Sequence, residues 1–257
     1  MIRHPILSYH QITMGTPPED FGEYAMSARQ FEWQMNYLYE HGYVCLSLPE
    51  LFQYLIGGES PRKKAFALTF DDGYEDFYTT AHPILLKYGF TAAVFLVSDL
   101  ISMPDELRLA RKNRYLSWEQ IKELQQKGIT FGSHTATHCF LPSLKPDEVF
   151  KELTASKACL EAGLGKDVKW FAYPYSASTR EIENQVEAAG YQAAFSGSRG
   201  RNSAYDIRRQ FCLKDESQMA FEFRLSRLYS EFTRIRDETE LGQFFRKAKY
   251  KLSHREN

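Results

Sequence analysis

The chain has 257 residues, of which 43% are hydrophobic and 15% aromatic, enough apolar material for one large core. Its formal net charge of −1 argues against a nucleic-acid partner, because binding to phosphates needs a surplus of lysine and arginine. The four cysteines form no CxxC pair and no run of about 18 apolar residues occurs, which argues against a disulfide framework and a membrane-spanning helix.

The first quarter of the chain predicts a strand, a loop and a helix. Residues 5–9 are a short apolar run typical of a strand. Residues 11–26 are rich in glycine and proline and predict a loop. A serine then precedes apolar residues at helical spacing, which predicts a helix over residues 27–40.

The middle of the chain predicts a βαβ unit. Residues 65–70 are apolar or Thr at both parities, as in a strand whose two faces are both covered by helices. A helix over residues 76–88 and a second strand over residues 91–97 follow at the spacing of parallel neighbours.

The same alternation continues through the second half. It predicts strands at residues 128–131, 168–173 and 191–196, with helices at residues 146–162 and 179–189 between them. The predicted fold is therefore α/β, a single-domain distorted or incomplete (β/α) barrel. We assign residues 1–216 to this domain and residues 217–257 to a C-terminal helical extension packed on it.

Two adjacent carboxylates and a glycine end the strand at residues 65–70. In parallel α/β folds the carboxyl ends of the strands carry the chemistry. Because successive strand residues point in opposite directions, Asp71 and Asp72 are expected to diverge, leaving one free to hold a metal and the other free to act as a base. The alternative interpretation is a polar turn, in which Asp-Asp-Gly is common.

Two histidines four residues apart, His134 and His138, follow the strand at residues 128–131. Together with one aspartate they make a ligand set of two nitrogens and one oxygen, which leaves coordination positions open for water and substrate. Such a set is typical of a catalytic metal. The alternative is a solvated helix start with ordinary imidazoles.

Three short motifs resemble those of the polysaccharide deacetylase family, also called the NodB homology domain or carbohydrate esterase family four. Thr-Phe-Asp-Asp-Gly stands at residues 69–73 and His-Ser/Thr-x-x-His at residues 134–138. Residues 171–176, Phe-Ala-Tyr-Pro-Tyr-Ser, are similar to the third motif of the subgroup that deacetylates poly-N-acetylglucosamine-type exopolysaccharides.

The resemblance implies a role for each matching residue. Asp72, His134 and His138 would hold a divalent metal ion, for which we expect zinc. Asp71 would be the general base, and the backbone N–H of Tyr175 would stabilise the oxyanion.

Two family features have no direct counterpart. Ala172 stands where most members carry an arginine, and a late Leu-x-His motif, whose histidine protonates the leaving amine, is missing. We expect His10, at the end of the first strand, to be the proton donor, with the alternative that Asp71 performs both proton transfers. Arg208 or Arg209 could replace the missing arginine in orienting Asp71.

The predicted protein is a metal-dependent hydrolase that removes N-acetyl groups from an amino-sugar-containing poly- or oligosaccharide. Two alternatives stay open: a hydrolase of a small non-sugar amide or O-acetyl ester, and a catalytically impaired glycan-binding module.

The predicted compartment is the cytoplasm, because the apolar stretch near the N-terminus is too short for a signal peptide. A peripheral membrane or exported protein is the alternative. Basic and aromatic residues are interleaved over residues 241–257, which could contact an anionic membrane surface or a polyanionic glycan, although a solvated helix end is the simpler interpretation.

Overall fold

The structure is a computed structural model that describes residues 4–15, 24–57, 64–110, 113–198, 200–201, 203–226 and 228–229. The strands are, in chain order, β1 (Ile6–Tyr9), β2 (Gln11–Thr13), β3 (Ala25–Ser27), β4 (Val44–Cys45), β5 (Ala65–Phe70), β6 (Ala93–Leu96), β7 (Thr130–Ser133), β8 (Trp170–Ala172), β9 (Ala193–Phe195) and β10 (Gln210–Phe211). The α-helices are α1 (Ala28–Glu40), α2 (Leu48–Gly57), α3 (His82–Tyr88), α4 (Ser98–Ile101), α5 (Asp105–Ala110), α6 (Trp118–Gln126), α7 (Pro146–Leu164), α8 (Arg180–Ala188) and α9 (Gln218–Leu225).

One sheet of eight strands organises the fold. Its order is β10-β1-β5-β6-β7-β8-β9, with β4 paired to β5, and every pairing is parallel. The segment at residues 207–211 bonds to both edges, since Ile207 bridges to Phe195 on β9 while Gln210 pairs with Leu7 on β1. The sheet is therefore a distorted (β/α) barrel, which confirms the predicted fold class.

Apart from β4, the strands are short and largely buried, as expected when helices cover a barrel. All six residues of β5 are buried, and the core cluster next to them is mostly aliphatic but includes the large rings of Phe95, Trp170 and Phe195. Gly132 in β7 is needed for this packing. A Cβ at that position would lie 2.6 Å from the Phe95 ring and 2.8 Å from the Trp170 carbonyl oxygen.

The predicted loop at residues 11–26 is only partly correct. The ends of that stretch form the parallel pair of β2 and β3, in which the buried residues Ile12 and Met26 are partners. Three-residue strands are too short to show a period in the sequence, and glycine and proline dominated the prediction. The predicted helix at residues 76–88 is present, but it begins with a π-helical turn at Phe77–Ala81 before α3.

The chain divides into two compact units, Met1–Glu216, which holds the whole barrel, and Ser217–Asn257. In the second unit the described part is mainly α9, whose first turn is capped by the Ser217 hydroxyl accepting from the Ala220 N–H. The predicted packing of residues 217–257 on the barrel stays a prediction, and the basic segment at residues 241–257 lies outside the described residues. Among the described helices, none combines the length and apolarity that crossing a bilayer requires.

Candidate active site

The carboxyl ends of parallel strands bring the predicted site residues to one rim of the barrel. His10 follows β1, Asp71 and Asp72 follow β5, and His134 follows β7. Gly73 completes the turn after the aspartates at φ +73°, where a Cβ would lie 2.7 Å from the Leu96 side chain. The strand thus ends before Asp71, and both carboxylates lie at the opening formed by the carboxyl ends of the strands, which we call the mouth.

Asp72, His134 and His138 lie together. The Oδ1 atom of Asp72 is 3.5 Å from Nε2 of His134 and 3.2 Å from Nε2 of His138, and one ligand atom from each residue falls within 4.8 Å of the other two. Asp72 Oδ1 is buried and has no hydrogen-bond partner. A buried carboxylate oxygen normally has a partner, so its lone pairs facing two imidazole nitrogens fit a bound cation.

The protonation states of His134 and Asp72 also suit a metal. Nδ1 of His134 lies 2.7 Å from the Ala172 carbonyl oxygen, which can only accept, so the proton is on Nδ1 and the Nε2 lone pair faces Asp72. Burial lowers the pKa of His134, which favours the neutral ring. Burial would raise the pKa of Asp72, but the neighbouring imidazoles outweigh it and the pKa falls below its usual value. A carboxylate and a neutral imidazole are the forms that bind metal.

Glu152 on α7 holds the loop between the two histidines. One carboxylate oxygen accepts from the N–H groups of Ala136 and Thr137 at 3.0 Å each, and the other accepts from the Thr137 hydroxyl at 3.0 Å. Within the loop, the Thr135 hydroxyl accepts from the His138 N–H at 2.9 Å. These bonds fix the path of the chain from His134 to His138, as residues behind metal ligands commonly do.

Asp71 has a different partner. Its two carboxylate oxygens accept from Nη1 and Nη2 of Arg209 at 2.6 and 2.8 Å, and both side chains are buried. Burial would raise the pKa of Asp71, but the Arg209 guanidinium and the His134 ring outweigh it and lower the pKa overall. The structure thus selects Arg209 over Arg208, whose Nε donates to the Gly200 carbonyl oxygen instead.

His10 lies beside Asp71. Its Nε2 is 3.9 Å from Asp71 Oδ2, and the ring is partly exposed. The His10 ring packs against Phe211 at a centroid distance of 5.8 Å, which limits its rotation. His10, the predicted proton donor, therefore lies beside Asp71, the predicted base, and is partly open to the mouth.

Tyr175 lies over the metal triad. Its ring centroid is 4.9 Å from that of His138, and its backbone has φ 58° and ψ 13°. Such left-handed conformations cost a non-glycine residue of order 1–3 kcal/mol and cluster at functional sites. Of the six non-glycine residues with positive φ in the described part of the chain, five belong to this mouth, so backbone strain is concentrated here: Asp72, Thr135, His138, Tyr175 and Ser176.

Sequence reasoning missed Glu152 and Phe211, whose side chains contact the loop between the two histidines and the His10 ring, respectively. Glu152 lies 14 positions beyond His138, in the middle of a helix whose surface carries other acidic residues, so its spacing gives no signal. The structure also explains how Ala172 can stand where an arginine is usual in similar motifs. The Ala172 carbonyl oxygen accepts from His134, and Arg209 supplies the guanidinium that binds Asp71.

Comparison with known proteins gives consistent matches. The family model described as polysaccharide deacetylase matches residues 58–194. The Bacillus subtilis protein YxkH is 32% identical over 188 residues, which cover 73% of this chain and 62% of that protein. A Staphylococcus aureus poly-β-1,6-N-acetyl-D-glucosamine N-deacetylase is 28% identical over 187 residues, covering 69% of this chain and 63% of that protein. The chain thus spans less than two thirds of the length of either relative.

A solved structure shares the fold. The Streptococcus pyogenes deacetylase PplD, determined in complex with acetate, superposes with a TM-score of 0.77 at 28% identity, covering 87% of this chain and 98% of that chain. The family match extends over more than half of the chain and includes both strand ends that supply the aspartates and the histidines. We conclude that this chain belongs to the polysaccharide deacetylase family.

Proposed function

We propose that this protein is a metal-dependent hydrolase that removes N-acetyl groups from an amino-sugar-containing poly- or oligosaccharide. The observation that carries the proposal is the division of labour between two adjacent carboxylates. Asp72 faces two imidazoles with a buried oxygen that lacks a hydrogen-bond partner, whereas Asp71 is fixed and ionised by Arg209. The amino-sugar substrate is proposed by analogy with the Staphylococcus aureus relative.

Asp72, His134 and His138 would hold the ion, and their two nitrogens and one oxygen support zinc. When bound, a divalent ion supplies a Lewis acid that polarises the acetyl carbonyl and lowers the pKa of a water molecule.

Asp71 takes the proton of the attacking water. Its carboxylate is ionised at neutral pH because its pKa is lowered, and the two bonds from Arg209 leave it one orientation. As the water oxygen adds to the acetyl carbon, negative charge develops on the acetyl oxygen. The backbone N–H of Tyr175, held in its strained turn, would donate to that oxygen.

His10 completes the reaction by giving its proton to the sugar nitrogen as the carbon–nitrogen bond breaks. Acetate and a free amine are the products. Nε2 of His10 lies 3.9 Å from Oδ2 of Asp71, so the proposed donor stands beside the proposed base. We expect His10→Gln to lower turnover by about 10²- to 10⁴-fold with metal content unchanged, measured by acetate release and elemental analysis. Near-normal turnover in that variant would assign both proton transfers to Asp71.

The proposal is tested by acetate release from chitooligosaccharides and from β-1,6-linked N-acetylglucosamine oligomers, with and without a chelator. We expect release that stops on chelation and returns on adding zinc. Release from small amides or O-acetyl esters alone would favour the first alternative function. Glycan binding without any acetate release, at full metal occupancy, would favour the binding module and refute the hydrolase.

A further inference from the structure

One segment of the chain contacts both halves of the candidate metal site. Residues 97–117, which we call the β6–α6 segment, connect those two elements and contain α4 and α5. At its start, the Ser98 N–H donates to the Thr135 carbonyl oxygen at 3.3 Å. The Asp99 N–H donates to the Ala136 carbonyl oxygen at 3.0 Å. The start of the segment therefore binds the loop between the two histidines of the site.

The end of the β6–α6 segment binds the turn that follows β5. Tyr115 and Tyr74 form an antiparallel bridge there. Two backbone hydrogen bonds of 2.9 Å flank this pair, from the Glu75 N–H to the Arg114 carbonyl oxygen and from the Leu116 N–H to the Gly73 carbonyl oxygen. The rings of Tyr74 and Tyr115 are buried and stack at a centroid distance of 5.2 Å and an angle of 24°. Both backbone and side chains thus hold this turn.

The turn needs such support because its backbone is strained. Asp72 has φ 71° and Gly73 has φ 73°, so two successive residues are left-handed. Glycine adopts this conformation freely, whereas a residue with a Cβ persists in it only where the surrounding structure holds it. Burial raises the pKa of Tyr74, and the nearby Asp72 carboxylate raises it further, so the stacked tyrosine lies close to the proposed metal ligand.

Arg108 in α5 supports the tyrosine pair. Its Nη1 donates to the Tyr115 carbonyl oxygen at 2.9 Å, and its Nε and Nη2 donate to Asp105 Oδ1 at 3.2 and 2.6 Å. The Arg108 side chain is 7% exposed, although that of Asp105 is 77% exposed. Burying a guanidinium costs free energy, and no step of the proposed reaction uses this one. Its buried position serves the bond to Tyr115.

Building on the proposed metal site, we propose that Arg108 and Tyr115 are positioning residues that hold the strained turn of Asp72 and thereby set the affinity for the metal ion. Zinc needs its oxygen and nitrogen ligands at about 2 Å, so a turn that relaxes takes Asp72 away from the two histidines. Binding must then restore the competent turn, which raises the apparent Kd. Neither Arg108 nor Tyr115 supplies a ligand.

The test measures zinc binding by the full-length, metal-free protein, in competition with a chromogenic chelator. Arg108→Met keeps most of the side-chain volume but no donor, and Tyr115→Ala removes the stacked ring. We expect each to weaken zinc binding by about 10-fold, the lower end of the range for residues that orient metal ligands. With cobalt(II) in place of zinc, the visible absorption depends on ligand geometry and should change in both variants. A loss of stability alone would leave the cobalt spectrum of the folded protein unchanged.

A conservative variant and a matched control sharpen the result. Tyr115→Phe keeps the ring and the backbone carbonyl and should bind zinc like the wild type. Arg114→Met makes the same substitution elsewhere in the β6–α6 segment. The Arg114 side chain is 58% exposed and lies 3.8 Å from Glu75, so its loss should leave zinc affinity unchanged. Urea unfolding shows which metal-free variants are folded, and Tyr115→Ala still tests the inference if Arg108→Met does not fold.

The outcomes separate this inference from the proposed function. Zinc affinity and a cobalt spectrum that are unchanged in the folded variants, or an equal loss of affinity in Arg114→Met, would overturn the inference while acetate release still supported the hydrolase. Equal losses in Tyr115→Phe and Tyr115→Ala would also overturn the role given to the stacked ring. Selective loss of zinc affinity in a protein that releases no acetate would sustain the positioning role and refute the hydrolase.

Discussion

Asp71 and Asp72 are adjacent in sequence but are held by different parts of the molecule. Arg209, 138 positions further along the chain, binds both oxygens of Asp71, whereas Asp72 faces the His134–His138 loop and has a buried oxygen without a hydrogen-bond partner. The comparison shows how one strand end can provide two chemistries. A carboxylate whose oxygens are both satisfied by protein is fixed as a base, and one with an oxygen left over can bind a ligand.

Substitutions that remove the role of Asp71 or disrupt the metal site of Asp72 should have the largest effects on turnover. We expect Asp71→Asn to lower turnover by about 10²- to 10⁴-fold while the metal content stays at the wild-type level, because the amide has nearly the size of the carboxylate but cannot take a proton. Acetate release and elemental analysis on the same samples measure both quantities.

His134→Ala is the matched comparison, since it should abolish both turnover and metal binding. The assignment of the two carboxylates would be reversed if Asp71→Asn proved empty of metal and Asp72→Asn remained full.

Arg209→Gln tests the ion pair between Arg209 and Asp71, with the free energy of unfolding as the measured quantity. Removing one partner of a buried ion pair leaves the other charge unpaired, and we expect the free energy of unfolding to fall by about 3–5 kcal/mol at pH 7. Urea unfolding of the metal-free proteins measures the difference. Arg208→Gln is the control, because Nε of Arg208 donates to the Gly200 carbonyl oxygen whereas Arg209 donates to both oxygens of Asp71, and Arg208→Gln should lose much less stability.

The deficit of Arg209→Gln should shrink as the pH falls. In the wild type the pKa of Asp71 is lowered, so the stability from the ion pair is present above the unfolded pKa of about 3.9 and is lost as the pH falls through the folded pKa. Without Arg209, burial raises the pKa of Asp71, and protonation in the folded state relieves the unpaired charge. A deficit that is the same at pH 7 and near pH 4 would show that lost packing, and not the charge, explains it.

Substituting Glu152 tests the loop that faces Asp72, and we expect a smaller effect, on zinc affinity. We expect Glu152→Ala to weaken zinc binding by about 10- to 100-fold, because the loop between the histidines loses three hydrogen bonds. Competition titration with a chromogenic chelator measures the affinity of the folded protein.

Glu152→Gln should recover most of that affinity. Its amide oxygen can accept from both backbone N–H groups, and its NH₂ can donate to the Thr137 hydroxyl. Asp147→Asn removes a charge from the first turn of the same helix and controls for electrostatics. Equal losses in Glu152→Gln and Glu152→Ala would mean that the negative charge matters and the hydrogen bonds do not.

The same two regions show what a sequence can and cannot predict. The alternation of strands and helices, and the rule that parallel strands open at one edge, were enough to predict the barrel and to bring His10, Asp71 and His134 to one rim. The arginine that orients Asp71 could be narrowed to Arg208 or Arg209, because position 172 lacks the arginine that most family members carry there. The role of Glu152 could not be predicted, since it depends on how α7 packs against the loop between His134 and His138. The sequence around Glu152 resembles that of an ordinary exposed helix surface.

The segment at residues 207–211 joins the two edges of the sheet and also carries Arg209. Closing the barrel and orienting Asp71 therefore depend on the same segment. During synthesis the candidate metal ligands, all within residues 72–138, emerge well before this segment, but a domain generally folds as a unit. We expect a chain truncated before residue 207 to lack both the last strand of the barrel and the guanidinium that holds Asp71.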